Sequence, residues 1–88
     1  MVLVTTPNGR AVLILYGLKQ APAGKEYQAW VVTGKTPKSA GLFNGGGTTV
    51  VIPLSQRIPK NSIFAVTLEK AGGVPAPTMS PQYTAKLT

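Results

Sequence analysis

The sequence contains no cysteine and no histidine, and its only acidic residues are Glu26 and Glu69. The absence of cysteine excludes a disulfide framework, and two carboxylates without thiolate or imidazole ligands make a poor transition-metal site. Catalysis that needs a histidine base or a cysteine nucleophile is excluded as well. We therefore expect no metal, no cofactor and no enzymatic activity.

Three patterns that would suit an enzyme or a phosphate-binding site remain, and each is incomplete. Glu26 and Glu69 would have to form the carboxylate pair of a glycosidase, but both fall at strand ends, where carboxylates are commonly solvated. Residues 34–36, Gly-Lys-Thr, resemble the end of a phosphate-binding loop, but Pro37 interrupts the helix that should follow. Residues 38–39, Lys-Ser, are adjacent in a strand and therefore point to opposite faces.

Long apolar runs are also absent. No segment approaches the roughly 18 apolar residues that a membrane-spanning helix needs. Ten glycines and eight prolines interrupt the chain so often that no long helical pattern survives. Apolar residues make up 43% of the chain and charged residues 12%, a composition that fits a globular domain and not a disordered tail. We expect a folded chain built from strands.

Short β-rich runs alternate with turn residues along the whole chain. Asn-Gly at residues 8–9 predicts a hairpin, and the glycines of residues 44–47 predict another between the fourth and fifth runs. The apolar residues 11–15 predict a central strand, whereas Pro53 predicts an edge strand, because proline cannot donate a hydrogen bond to a neighbouring strand. The predicted strands are residues 2–5, 10–18, 26–33, 39–43, 48–54, 62–69 and 82–87.

Alternation within these runs predicts which side chains face the core. In the sixth run Phe64, Val66 and Leu68 are predicted to point inward, with the odd-numbered residues on the opposite side. In residues 26–33 both sets of alternate positions carry apolar side chains, so the facing of that strand stays open. Six or seven short antiparallel strands indicate a sandwich or a small barrel. We predict an all-β fold, a small antiparallel β-sandwich of Ig-like architecture.

Nine lysines and arginines give the chain a net charge of +7. They are scattered over loops and strand ends, which favours a solvated surface over a nucleic-acid site, with an anionic partner as the alternative. The aromatic side chains are expected to fill the core, with a stacking platform for sugars or bases as the alternative. The cationic residues are Arg10, Lys19, Lys25, Lys35, Lys38, Arg57, Lys60, Lys70 and Lys86, and the aromatic residues are Tyr16, Tyr27, Trp30, Phe43, Phe64 and Tyr83.

Four stretches form a specific pattern: AGKEYQAWVV at residues 23–32, SAGLF at 39–43, AVTLEKAGG at 65–73 and PT at 77–78. Together they resemble the C-terminal domain of the anti-sigma-K factor family, over about residues 10–78. The sequence departs from that family's pattern, without losing any group that a reaction would need, at Ala29, Val32, Lys70 and Val74. The motif residues, which we expect to be fold determinants, are Tyr27, Trp30, Ala40, Gly41, Leu42, Phe43, Glu69, Gly72, Gly73, Pro77 and Thr78.

The resemblance implies an extracytoplasmic regulatory domain of a single-pass membrane anti-sigma factor in the cell membrane. In such proteins a cytoplasmic domain, absent from this sequence, binds the sigma factor, which regulated proteolysis releases. The implied partners of this domain are proteins, a regulatory protease or an envelope sensor, with no nucleic acid and no cofactor. Residues 1–88 would form one domain lacking a little of its N-terminal edge, because members of the family usually begin earlier.

Some motif residues have specific expected roles. We expect Tyr27 and Trp30, which are large β-formers, in the layer between the sheets. Gly41 within a strand indicates a bulge or a close backbone approach, and Gly72 with Gly73 suits a turn. Two other functions stay open: a free-standing envelope-associated β-module that binds anionic polymer or carbohydrate through basic loops and one exposed aromatic, and a basic nucleic-acid-binding barrel.

Overall fold

A computed structural model describes residues 2–5, 11–46, 49–53 and 62–87. Regular structure in these ranges consists of strands alone, which confirms the prediction of an all-β chain. None of the described residues therefore belongs to a helix long and apolar enough to cross a membrane. The strands are β1 (Val2–Thr5), β2 (Ala11–Tyr16), β3 (Lys25–Thr33), β4 (Thr36–Phe43), β5 (Thr49–Pro53), β6 (Ser62–Lys70) and β7 (Tyr83–Leu87).

The strands form two antiparallel sheets. β2 lies between β1 and β5 in a three-stranded sheet, and the four-stranded sheet has the order β4-β3-β6-β7. The predicted hairpin of β1 and β2 is confirmed by their antiparallel pairing, in which Thr5 lies opposite Ala11, while its turn residues lie outside the described ranges. The central position of β2 and the edge position of β5 are also confirmed.

The connection from β4 to β5 differs from the prediction. The hairpin expected at residues 44–47 is wrong: β5 pairs with β2, so the chain crosses from one sheet to the other. Gly45 has a φ of 66°, and a Cβ there would lie 2.7 Å from the Lys19 carbonyl oxygen and 2.9 Å from the Tyr27 ring. Two backbone hydrogen bonds join this segment to residues 18–21. The glycine run therefore allows a close crossing and not a tight reversal.

β4 begins earlier than predicted. Its first residue is Thr36, which pairs with Thr33, whereas the predicted strand starts at Ser39. The turn after β3 is confined to residues 34–35. Pro37 is tolerated inside β4 because this strand lies at the edge of its sheet, where a missing N–H need not break a ladder.

The bulge predicted from Gly41 is present in β4. Ala29 of β3 pairs with Gly41 and Trp30 pairs with Ser39, so Ala40 is the additional residue. The bulge turns the Ala40 side chain into the core, where it is 1% exposed.

One hydrophobic core cluster includes residues of both sheets. Leu15 of β2 belongs to the same cluster as buried side chains of β3, β4 and β6. The rings of Tyr27 and Phe43 stack within it at a centroid distance of 5.3 Å, and the Tyr27 hydroxyl donates to the Lys19 carbonyl oxygen (2.9 Å). The buried members of the cluster are Leu15, Leu18, Tyr27, Ala29, Val31, Ala40, Phe43, Phe64 and Val66.

The alternation predicted for β6 is correct for one face of the strand, but the other face is buried as well. Phe64 and Val66 belong to the core cluster, as predicted, and Leu68 is partly buried against it. Thr67 and Glu69, expected on an open side, are 0% and 1% exposed. The middle of β6 is therefore buried on both faces.

The structure also shows which side chains of β3 face the core. Tyr27, Ala29 and Val31 point into the core cluster. The predicted place of Trp30 between the sheets is wrong, because its indole lies on the other side of β3, where it is fully buried and bonded to Thr67. Both sets of alternate positions on β3 carry apolar side chains because both faces of this strand are covered.

Candidate functional site

The four-stranded sheet has a second buried face, on the side away from the core cluster. Antiparallel pairing places Glu26 opposite Glu69 and Gln28 opposite Thr67, and Trp30 follows on the same side. Apart from Glu26, which is half-buried, these side chains are at most 2% exposed. We call this surface the outer face. Its burial requires a cover that the strands themselves do not provide.

Residues 71–82, which connect β6 to β7, cover Gln28 and Glu69 on this face, and we call them the strap. The strap leaves β6 through a turn in which Gly72 and Gly73 have φ values of 91° and 83°. At its far end the Gln82 N–H donates to the Val66 carbonyl oxygen (2.7 Å), just before β7 begins. The turn predicted from Gly72 and Gly73 and the predicted last strand are both confirmed.

The Gln28 side chain binds the backbone of the strap, as a residue of a neighbouring strand would. The side-chain carbonyl of Gln28 accepts from the Val74 N–H (3.0 Å), and its amide donates to the Val74 carbonyl oxygen (3.0 Å). The same amide nitrogen donates to the Ser39 hydroxyl oxygen (2.8 Å). Because Gln28 contacts only the backbone at position 74, these hydrogen bonds do not depend on the side chain of Val74.

Glu69 holds the strap at its middle. One carboxylate oxygen accepts from the Thr78 N–H (3.1 Å), and the other accepts from the Thr78 hydroxyl in a short hydrogen bond. Both donors come from one residue of the strap, so the contact fixes the position and the orientation of the backbone at Thr78. Hydrogen bonds to an ionised acceptor are roughly twice as strong as neutral ones.

A continuous chain of hydrogen bonds links this contact to Trp30. The Trp30 indole N–H donates to the Thr67 hydroxyl oxygen (2.8 Å), and the Thr67 side chain is in turn hydrogen-bonded to Glu69. Burial of the Glu69 carboxyl favours its neutral form, but the hydrogen bonds from Thr78 and Thr67 and the charge of Lys25 outweigh it. The pKa of Glu69 therefore lies below its ordinary value.

Glu26 binds the beginning of the strap. Its carboxylate accepts from the Gly72 N–H (2.9 Å), at the turn where the strap leaves β6. Glu26 and Glu69 lie directly opposite each other across β3 and β6, an arrangement that is normally destabilising for two like charges. Each carboxylate instead receives donors from a different part of the strap. Both acidic residues of the chain are thus used to hold one segment.

This arrangement corrects the expectation that Glu26 and Glu69 are ordinary solvated carboxylates at strand ends. Glu69 is 1% exposed, and its two oxygens are occupied by donors from Thr78. A glycosidase needs both carboxyl groups to reach a substrate from either side of the scissile bond. Here the pair serves as hydrogen-bond acceptors for the strap. No group of three metal-ligating side chains occurs among the described residues.

The other two incomplete patterns lie elsewhere on β3 and β4. Residues 34–36 form the tight turn between these strands and the first position of β4, with no helix after them. Lys38 pairs with Val31 and Ser39 with Trp30, so the lysine and the serine lie on opposite faces, as predicted. Ser39 lies beside Gln28 on the outer face, but Lys38 lies on the other face, and neither pattern forms a reactive site.

The motif residues of the sequence analysis fall into two spatial groups. Tyr27, Ala40 and Phe43 lie in the core cluster, with Gly41 in the adjoining bulge. The second group belongs to the outer face and the strap, and Leu42 adjoins it, since a Cβ on Gly73 would lie 3.1 Å from the Leu42 side chain. The members of the second group are Trp30, Glu69, Gly72, Gly73, Pro77 and Thr78.

Sequence reasoning missed Gln28 and Thr67 as parts of this site. Both are buried polar side chains, and buried polar groups in proteins are generally hydrogen-bonded. The sequence signal for this site was Gln28, an uncharged polar residue between Tyr27 and Trp30. It lies in a strand whose two sets of alternate positions both carry apolar side chains. Which donor or acceptor it meets is fixed by the strap, which follows more than 40 residues later in the chain.

The charged and aromatic side chains that face solvent are separate from the outer face. Lys25 and Lys70 lie opposite each other at one end of β3 and β6, and both are exposed. Tyr16 and Tyr83 are 57% and 40% exposed, so the expectation that aromatics fill the interior holds for the other four. The exposed lysines of the described chain are Lys19, Lys25, Lys35, Lys38 and Lys70.

Comparison with known proteins shows the family to which this chain belongs. Residues 1–84 match the family described as anti-sigma-K factor rskA, C-terminal, a range that includes both strands of the outer face and the entire strap. The chain belongs to this family. The anti-sigma-K factor family is regulatory and not catalytic, its proteins are membrane-anchored, and it implies protein partners such as a sigma factor.

A relative from Streptomyces griseus, described as an uncharacterized protein in the phr 5'region, is 34% identical over 80 residues. The match covers 91% of this chain and 34% of the relative, so the chain spans about a third of the length of that protein. No solved structure matches the chain.

Proposed function

We propose that this chain is the extracytoplasmic sensory domain of a single-pass membrane anti-sigma factor and controls release of the sigma factor through regulated proteolysis. The observation that carries the proposal is the family match over residues 1–84. The domain acts as a gate: while it is folded, a regulatory protease or envelope sensor does not gain access to the adjoining chain. Sigma-factor binding belongs to a different, cytoplasmic part of the protein.

We further propose that residues 1–88 are one domain and that its two sheets face each other as an Ig-like sandwich. The core cluster, which combines Leu15 of one sheet with Phe43 and Phe64 of the other, supports this arrangement. The motif residues then act as fold determinants: one group fills the space between the sheets, and the other fastens the strap. None of them has a role as a ligand or a catalyst.

The gating proposal is tested in the full-length protein in cells. Phe64→Leu, which loosens the core without deleting the side chain, should increase transcription from a sigma-dependent promoter. Ile63→Ala, at a neighbouring position that is 40% exposed, is the matched control and should leave transcription unchanged. Equal promoter activity in the two variants, with equal amounts of intact anti-sigma factor on immunoblots, would count against gating by domain stability.

The location of the domain is tested separately. A reporter enzyme that is active only outside the cytoplasm, fused after residue 88, should be active in cells. A cytoplasm-specific reporter at the same position should be inactive. The reverse pattern would place this domain inside the cell and remove the proposal.

One observation favours a second candidate, an envelope-associated module that binds an anionic surface. Both carboxylates bind the strap, whereas five lysines are exposed and two of them, Lys25 and Lys70, lie directly opposite each other. Like charges placed opposite each other are unfavourable in isolation and favour an anionic partner. Binding of the chain to vesicles that contain an anionic phospholipid, and not to vesicles of neutral lipid, would support this candidate.

A further inference from the structure

Polar contacts with a few side chains connect the strap to the rest of the molecule, and none of the strap's own residues is fully buried. Its residues carry no charge, and Pro75, Met79 and Ser80 are exposed. Its side-chain hydrogen bonds are made to Glu26, Gln28 and Glu69, and backbone hydrogen bonds fix its first and last residues. By contrast, β3 and β6 are held by continuous strand pairing over nine positions. Segments with few buried apolar contacts open at lower free-energy cost than the strands of a core.

The ends of the strap are fixed independently of its middle. The strap begins in the glycine turn after Lys70, and it ends where the Gln82 N–H meets Val66, immediately before β7 pairs with β6. Tyr83 already pairs with Val66, so β7 does not reach the last residues of β6. The segment between these ends can leave the outer face while β6 and β7 remain paired.

We propose that the strap is a latch that opens as a unit while the two sheets stay folded, and that the contact of Glu69 with Thr78 sets how often it opens. Opening uncovers Gln28 and Glu69 and releases an extended, proline-containing segment. It also breaks the chain of hydrogen bonds that runs from Thr78 through Glu69 and Thr67 to Trp30. Extended chain that leaves the folded body is the form in which proteases bind substrates, and opening of this kind governs local cleavage. The role of the latch in signalling rests on the proposed gating function.

The charged groups around the latch contact are few. Glu26 lies opposite Glu69 on β3, Lys25 adjoins it there, and Lys70 follows on β6. The strap itself contributes no ionisable side chain. Replacing Thr78 by valine removes the hydroxyl donor and changes none of these charges, so an effect of this variant reports on the latch contact and not on net charge.

The first test is hydrogen exchange on the 88-residue chain, measured by NMR at the individual amides. We expect the Val74 and Thr78 amides to exchange at least about 10-fold faster than the amides that pair β3 with β6, because locally opened segments exchange below the global unfolding free energy. Thr78→Val should accelerate Val74 about 10-fold and leave the strand amides unchanged, a size expected for one hydrogen bond to a charged acceptor. Ser80→Ala, in the same strap but outside these contacts, is the control and should change neither set.

Trp30 provides an independent measurement, because it is the sole tryptophan of the chain and is fully buried on the outer face. Acrylamide quenching of its fluorescence should increase in Thr78→Val while the far-ultraviolet circular dichroism of the strands is retained. The inference is overturned if strap and strand amides exchange at one common rate and shift together in Thr78→Val, because the strap would then open only with global unfolding.

These results separate the latch from the gating function. If the strap opens locally but Thr78→Val in the full-length protein leaves sigma-dependent transcription unchanged, the latch stands and its role in gating fails. If Phe64→Leu activates transcription while the strap amides exchange together with the strands, gating stands and the latch fails.

Discussion

Glu69 accepts both hydrogen bonds that hold the strap at Thr78, and its protonation should weaken the fold. Because the pKa of Glu69 is lower in the folded chain than the ordinary value of 4.5, its contribution to stability is complete above that value. The contribution is lost as the pH falls through the folded-state pKa. We expect the free energy of unfolding to decrease as the pH falls below 4.5.

Replacing Glu69 by glutamine tests this assignment. Glu69→Gln should be less stable than the native chain near neutral pH, and its free energy of unfolding should vary less on acidification. Urea unfolding at a series of pH values measures both effects, with Ser80→Ala as a control that keeps the full pH dependence. An unchanged pH profile in Glu69→Gln would assign the acid sensitivity to other groups.

Gly45 is constrained by its surroundings as well as by its backbone angle. Gly45→Ala should destabilise the chain, because its left-handed conformation is unfavourable and the new Cβ would meet the Lys19 carbonyl oxygen and the Tyr27 ring. Gly34 has a similar φ of 64° with nothing within 4 Å of an added Cβ, so Gly34→Ala is the matched control. We expect Gly45→Ala to cost at least about 1 kcal/mol more, the lower end for overpacking a close contact.

Thermal or urea unfolding of the two glycine variants measures this difference. Equal losses of stability would mean that the chain relaxes around the crossing at Gly45 and that only the backbone angle matters there.

At the scale of the element, β3 and β6 differ from ordinary surface strands because both of their faces are covered. On β6, Phe64 points into the core cluster and is fully buried, whereas the next residue toward the strand start, Ile63, is 40% exposed. Phe64→Ala should cost about 3–5 kcal/mol, the range for removing a buried phenylalanine, whereas Ile63→Ala should cost about 1 kcal/mol or less. A small domain has roughly 5–10 kcal/mol of stability in total.

Denaturant midpoints of the two variants compare these costs directly. Comparable losses at Phe64 and Ile63 would contradict the assignment of the core face of β6, because the two side chains lie on opposite sides of one strand.

The β4 edge of the four-stranded sheet has features that prevent it from pairing with other chains. β4, at one edge, contains Pro37, Lys38 and the bulge at Ala40. Proline, lysine and bulges are the features by which natural sheets prevent pairing with other chains. The bulge has a second effect, because it directs Ala40 into the core cluster while Ser39 stays beside Gln28.

At the scale of the whole molecule, the distribution of charge follows from the use of the carboxylates. The net charge is +7, and the acidic residues both bind the strap. Lys19, Lys25, Lys35, Lys38 and Lys70 face solvent, and the charge of Lys25 acts on Glu69. A surface of this kind attracts anionic surfaces by long-range electrostatics.

Binding to anionic vesicles should depend strongly on salt. The Debye length falls from about 10 Å at 0.1 M to about 3 Å at 1 M ionic strength, so vesicle binding seen at the lower concentration should be lost at the higher one. The double variant Lys25→Ala with Lys70→Ala removes the opposed cation pair and should weaken binding more than Lys35→Ala, a single exposed lysine in the β3–β4 turn. Vesicle co-sedimentation measures both effects, and binding that persists at high salt would exclude an electrostatic mechanism.

The sequence by itself determined the strands of this protein and the positions of several turns. Dense glycine and proline exclude long helices, and alternation or continuous apolar runs mark each strand, so an all-β chain follows from local pattern alone. Pro53 marked an edge strand and Gly41 a bulge, because both act through the backbone of the strand that contains them. The family pattern also depends only on residue identity and spacing, and it was confirmed.

Only the tertiary structure decided which strands are neighbours and what covers the outer face. The glycines of residues 44–47 fit a hairpin and a crossing equally well, and the pairing of β5 with β2 selects the crossing. Trp30 and Glu69 were assigned to the wrong surroundings because their positions on β3 and β6 give no information about the strap. Burial there arises from contacts between distant parts of the chain, whereas periodicity reports only which side chains share a face.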